Sequence, residues 1–232
     1  MNPETSTLST VSSLAEIAAR TPSAQHAHVT SWTVNVLRSA MNDGVLVPGT
    51  KLLEQHISEI LNISRNTLRQ AFMILIAQNL VEQIPNRGVF VSAPDKEQIS
   101  EMFTVRLALE GAAIELAPSG AQPHIREILK KAQHSRERGS VSGMASANQD
   151  FHKELVQLAA SPRLDSLMSS VLAEMRLLFF LMETVPSFHA RFVDLNRELL
   201  ELVEQGHKKE AQAALRQYLK ISQEQFTQKL HD

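Results

Sequence analysis

Ile63-Ser64-Arg65-Asn66-Thr67-Leu68-Arg69-Gln70-Ala71-Phe72 decides how this chain folds. Leu68, Ala71 and Phe72, continued by Leu75 and Ile76, recur at helical spacing and form one apolar stripe, while Arg65, Asn66, Arg69 and Gln70 fall on the opposite side. Ser64 stands where a helix N-cap belongs. The pattern predicts a short helix that packs on one face and presents arginines and amides on the other.

Upstream, Val29, Trp32, Thr33, Val36, Leu37 and Ala40 mark one face of a first helix, which stops at Asn42-Asp43-Gly44. After the Val47-Pro48-Gly49 turn, Leu53, Ile57, Ile60 and Leu61 give a second short amphipathic helix, broken by Asn62-Ile63-Ser64. Downstream, two β-like runs, Val81 to Ile84 and Val89 to Val91, flank the turn sequence Pro85-Asn86-Arg87-Gly88. Three helices followed by a hairpin form the winged variant of the helix-turn-helix, whose recognition helix enters the major groove of duplex DNA by its first turn. Residues 29–93 are assigned to this unit.

Residues 1–28, rich in Ser, Thr and Ala, read as a flexible tail or loosely docked helix around Leu14 to Ala18. From 95 to 232 every periodic segment looks helical. Breaks near Pro118-Ser119-Gly120, Gly139 to Gly143, Ser161-Pro162, Val185-Pro186 and Gly206 partition about six helices, a bundle-sized domain. The fold expected is therefore mainly α: a winged helix-turn-helix, then an all-helical domain for ligand binding and dimerisation. The apolar face running from Leu164 to Met182 is wide enough for core packing and, in part, a dimer contact.

Net charge is only −2, so a nucleic-acid contact has to come from a local patch. Between Asn62 and Ala93 the charged residues are Arg65, Arg69, Arg87 and one acid, Glu82. Arg65 and Arg69 lie one turn apart, so one guanidinium can fork onto guanine O6 and N7 while the other grips phosphate. Ser64, Asn66 and Thr67 add small polar groups at a helix N-terminus, where unpaired amides favour phosphate oxygens. Arg87 and Gly88 form the wing tip. The chain has no cysteine, which removes thiolate metal sites and thiol nucleophiles and suits a reducing cytoplasm. No basic leader precedes an apolar run, and no stretch approaches the roughly 20 apolar residues of a spanning helix.

These blocks, together with Pro48-Gly49-Thr50-Lys51-Leu52-Leu53-Glu54, resemble the GntR family of bacterial transcriptional regulators. The resemblance implies that Ser64, Arg65, Asn66, Thr67 and Arg69 contact DNA, with Gly88 in the wing. Some relatives carry arginine in the preceding helix where this chain has Gln55. Val105 to Ala117, Asn148 to His152 and Glu198 to Gly206 resemble the FCD-type effector domain of the FadR-like branch. That branch implies a homodimer on a palindromic operator, with a small carboxylate or related metabolite as effector, and mostly represses.

Arg106 sits in the apolar stripe of Ile99, Met102, Phe103, Leu109 and Ala113, so its guanidinium points inward and demands an anion. Glu110 at i+4 supplies one as an internal pair; a bound carboxylate supplies one as a ligand. Asn148 and His152 share a helical face, Asn196 lies on a stripe with Phe192 and Leu199, and Tyr218 shares a face with Leu215. Four helices thus each bring a polar group to an apolar stripe, the lining of a ligand cavity in a bundle. Relatives hold a divalent metal here with an acidic or amide residue and three histidines. The matching positions read Asn148, His152, Asn196 and Tyr218, a poor set for zinc or nickel, so the expectation is no tight metal and direct contact with the effector. His189, two turns before Asn196, is an alternative ligand, or a surface or core residue. An enzyme built on the helical domain is the competing reading, but the chain has no Gly-rich phosphate loop, GxSxG, HExxH or spaced carboxylate cluster.

Overall fold

The protein is described here by a computed structural model covering residues 13–21, 28–182 and 185–230. It separates into two units, Met1–Ala93 and Pro94–Asp232, each with its own core.

In the first unit, residues 13–20 form α1. Then follow α2 (Val29–Asn42), β1 (Lys51–Leu52), α3 (Glu54–Leu61), α4 (Arg65–Ile76), β2 (Val81–Ile84) and β3 (Gly88–Val91). α4 is the hub: Leu68, Ala71 and Leu75 are fully buried, and the helix packs against α2, α3 and β2. Asn62 ends α3 in the left-handed region at φ 50, a conformation that asparagine's short polar side chain tolerates, and so aims the chain into α4. The hairpin closes with Pro85 preceding Asn86 at φ 61 and the Arg87 amide donating to the Ile84 carbonyl at 3.0 Å, the pattern of a type II turn.

Three sequence expectations are corrected here. The hairpin is part of a three-stranded antiparallel sheet in the order β1-β3-β2, because Lys51 and Leu52 pair with Phe90 and Val89. The second helix does not pack Leu53: it is the N-cap and 50% exposed, whereas Leu52, on the strand, is 2% exposed. Of the two readings of this stretch, residues 13–20 follow the docked helix and not the flexible tail, since Leu14 and Ile17 are buried and the Arg20 guanidinium pairs with Asp43. The rest of the 1–28 stretch, apart from Thr21 and His28, lies outside the described residues.

The second unit is helical among the described residues: α5 (Lys96–Leu116), α6 (Pro123–Glu137), α7 (Val141–Gln157), α8 (Pro162–Phe179), a 3-10 turn (Phe180–Met182), α9 (Pro186–Glu204) and α10 (Lys208–Lys229). Local chemistry starts the helices. Asp95 and Gln98 make a reciprocal capping box on α5, Ser140 and Ser161 cap α7 and α8, and Pro123, Pro162 and Pro186 take first-turn positions where their missing amide is harmless. α7 packs against α5, α6, α8 and α9, so its inward side chains reach most of the unit. The wide face of α8 goes mainly to the core through Met168, Val171, Leu172, Met175, Leu178 and Phe179, leaving Leu167 55% exposed.

Candidate functional site

On α4, the Ser64 Oγ accepts the Thr67 amide at 3.0 Å and lies 2.8 Å from the Thr67 hydroxyl. The Arg65 and Asn66 amides belong to the first turn and have no intrahelical acceptor. Arg65, Asn66, Arg69 and Gln70 are exposed, as their stripe requires. Arg69 is held by Glu54 on α3, Nε to Oε2 at 2.9 Å, with its side chain still 65% exposed. Gln55 donates to Glu59 along its own helix. Arg87 and Gly88 are exposed on the hairpin, with the Arg87 guanidinium over the Phe90 ring. The acid that steadies Arg69 was not legible from spacing, because Glu54 and Arg69 belong to different helices.

In the second unit all six residues read from the sequence meet. Arg106 and Glu110 come from α5, Asn148 and His152 from α7, Asn196 from α9 and Tyr218 from α10. The Arg106 Nε donates to Glu110 Oε1 at 2.8 Å. The other Glu110 oxygen takes the His152 Nδ1 proton at 2.6 Å. His152 Nε2 lies 2.8 Å from the Tyr218 hydroxyl, which in turn lies 2.8 Å from Asn148 Oδ1, and the Asn196 amide donates to that same oxygen at 2.7 Å. Arg106, Glu110, His152, Asn196 and Tyr218 are each at most 2% exposed, and Asn148 is half-buried.

Burial alone would raise the Glu110 carboxyl, but the Arg106 guanidinium and the His152 contact outweigh it and hold the group ionised. Burial lowers His152, assisted by Arg106 and opposed by Glu110, so the imidazole is neutral with its proton on Nδ1. Burial likewise drives the Tyr218 phenol well above its ordinary value. One hydroxyl proton on Tyr218 therefore faces two acceptors, His152 Nε2 and Asn148 Oδ1. Two further atoms, Arg106 Nη2 and Asn196 Oδ1, are buried with no partner among the described residues.

These residues do not fit a divalent metal. Both ring nitrogens of His152 are engaged, the phenol is held protonated, and no group of three His, Cys, Asp or Glu suited to a metal ion occurs among the described residues. His189 stands apart from the cluster, 4% exposed, with Phe179 and Phe188 at its edges; burial lowers its pKa to about 4. A surface groove of about 340 Å³ between α6 and α9, lined by Arg126, Leu200 and Glu204 among others, contains none of the six residues. The described residues include no helix long and apolar enough to cross a membrane.

The family model "Bacterial regulatory proteins, gntR family" matches residues 33–91, and the FCD domain model matches residues 101–220. A solved structure described as a transcriptional regulator GntR from Rhodococcus sp. RHA1 is 35% identical, covers 85% of this chain and 96% of its own, and superposes with a TM-score of 0.78. The E. coli McbR/YncC structure shares the fold at 20% identity, covering 87% of this chain and 98% of its own, with a TM-score of 0.72. The HTH-type transcriptional repressor RspR of Escherichia coli (strain K12) is 27% identical over 128 residues, 53% of this chain and 56% of its own length.

Proposed function

The chain belongs to the GntR family of bacterial regulatory proteins and carries an FCD domain, and from that premise we propose that it is a homodimeric repressor of a palindromic operator, released by a small carboxylate. α4 reads the groove with Arg65 and Arg69, and Ser64, Asn66 and Thr67 fix it on phosphate. Arg87 and Gly88 bring the wing to the minor groove or backbone. The acid lies among Arg106, Glu110, Asn148, His152, Asn196 and Tyr218, and the protein works on DNA in the cytoplasm.

The unpartnered Arg106 Nη2, on a residue only 1% exposed, carries the ligand half of this reading. A buried donor left unsatisfied costs about 1 to 3 kcal/mol, and more when it is charged. Glu110 engages the guanidinium only through Nε, so the Nη edge is available to a second carboxylate. Asn196 Oδ1, buried and unpartnered on a neighbouring helix, adds an acceptor for a hydroxyl or a protonated group on the same molecule.

Thermal unfolding against a panel of small organic acids tests this directly. An acid present at 100 times its Kd stabilises the native state by about 2.7 kcal/mol. That gain is expected to vanish in Arg106→Lys, which keeps the charge and loses the fork, and to shrink in Asn196→Ala. An acid that protects both variants as well as it protects the parent would contradict the assignment.

A further inference from the structure

The register of the small sheet places Lys51 of β1 and Glu82 of β2 on either side of Phe90 in β3. The Lys51 stem crosses Gly88, where a β-carbon would sit 3.4 Å from its Cε, and its ammonium lies 5.8 Å from the centre of the Phe90 ring. The Arg87 guanidinium lies 5.6 Å from the same ring. A single half-buried phenyl therefore gathers two exposed cations on one face of the wing. Neither cation has an ion pair among the described residues, whereas Arg20 and Arg69 of the same unit are paired with Asp43 and Glu54. A ring face attracts a cation without using up its N–H donors, so both groups keep their hydrogen-bonding capacity. Glu82, across the strand pair from Phe90, forms no ion pair with either cation among the described residues.

We infer that Lys51 and Arg87 form a clamp for a backbone phosphate of duplex DNA, with Phe90 as the residue that positions both. The inference rests on the DNA-binding reading and adds to it a strand, β1, that lies outside the helix-turn-helix. A phosphate contact carries no sequence information, so the clamp acts on any duplex. Gly88 is needed here for its φ of 107, which L side chains rarely adopt, while a β-carbon there would meet the Lys51 stem only at ordinary contact distance, 3.4 Å.

The test is fluorescence anisotropy of a labelled mixed-sequence duplex titrated with the full-length protein over a series of salt concentrations. Each phosphate contact adds roughly 0.9 to the slope of log affinity against log salt. Lys51→Gln is expected to weaken binding roughly threefold to tenfold near 0.1 M salt and to flatten the slope by part of that amount, and the Lys51→Gln, Arg87→Gln double variant by about 0.9. Phe90→Leu keeps both charges, yet is expected to flatten the slope toward that of the Lys51→Gln, Arg87→Gln double variant. Unchanged melting temperatures of these surface variants show that the unit is still folded. A Lys51→Gln slope equal to that of the parent overturns the clamp while leaving DNA binding intact, and a parent that shows no salt-dependent binding overturns both.

Discussion

Tyr218 illustrates what a single hydroxyl does in a buried polar network. It touches both His152 Nε2 and Asn148 Oδ1, so Tyr218→Phe removes a partner from each without changing the shape of the core. The loss is expected to be about 1 to 2 kcal/mol in denaturant unfolding, with the imidazole reoriented in NMR spectra. His189 governs a different property. Its folded pKa of about 4 lies below the ordinary 6.5, so the native state disfavours the proton that the unfolded chain accepts. Its contribution is complete above pH 6.5 and is lost as the pH falls toward 4, by an amount on the order of 3 kcal/mol. Melting curves from pH 7 to 4 are expected to fall less steeply for His189→Leu; an equal fall would show that His189 is not the group responsible. The inward turn of Arg106 and its i+4 partner were legible from helical spacing alone. The second contact of Glu110, with His152, was not, because periodicity names a face and leaves open which atoms meet across helices.

Helices with strong caps and wide stripes were the legible elements. α4 begins at the serine that its sequence marks, and among the described residues six α-helices fill the second unit between the expected breaks. β1 escaped because two residues carry no periodic signal, and only pairing with β3 makes them a strand. α1 was left between tail and docked helix because a short apolar run beside Ser and Thr looks like a tail until Leu14 and Ile17 find a surface to cover. Gly143 was read as part of a break and is instead within the first turn of α7, where a β-carbon would fall 2.5 Å from Ser135 Oγ and 2.9 Å from Ser135 Cβ on α6. Helical glycine here serves close packing. Gly143→Ala is expected to destabilise the protein by about 1 to 3 kcal/mol despite alanine's better helix propensity, and the Gly143→Ala, Ser135→Gly pair should recover most of it. A stabilised single variant would contradict the crossing geometry.

For the whole molecule, composition said little and local patterning said much. A chain of net charge −2 gives no global attraction to DNA, yet its first unit displays Arg65 and Arg69 on one helix face and Lys51 and Arg87 on the wing. Its second unit buries a charged, hydrogen-bonded network in an apolar core and leaves an arginine edge unspent. If an acid bound in the second unit controls the first, as proposed, that control is a coupling free energy, and it is reciprocal: whatever factor the acid takes from DNA affinity, DNA takes from acid affinity. The decisive measurement is the anisotropy of the duplex that the protein enriches from genomic fragments, titrated with the acid that most raises its melting temperature. Release is expected, with affinity falling about fivefold or more for the parent and unchanged for Arg106→Lys. DNA affinity indifferent to an acid that demonstrably binds at Arg106 would contradict the account.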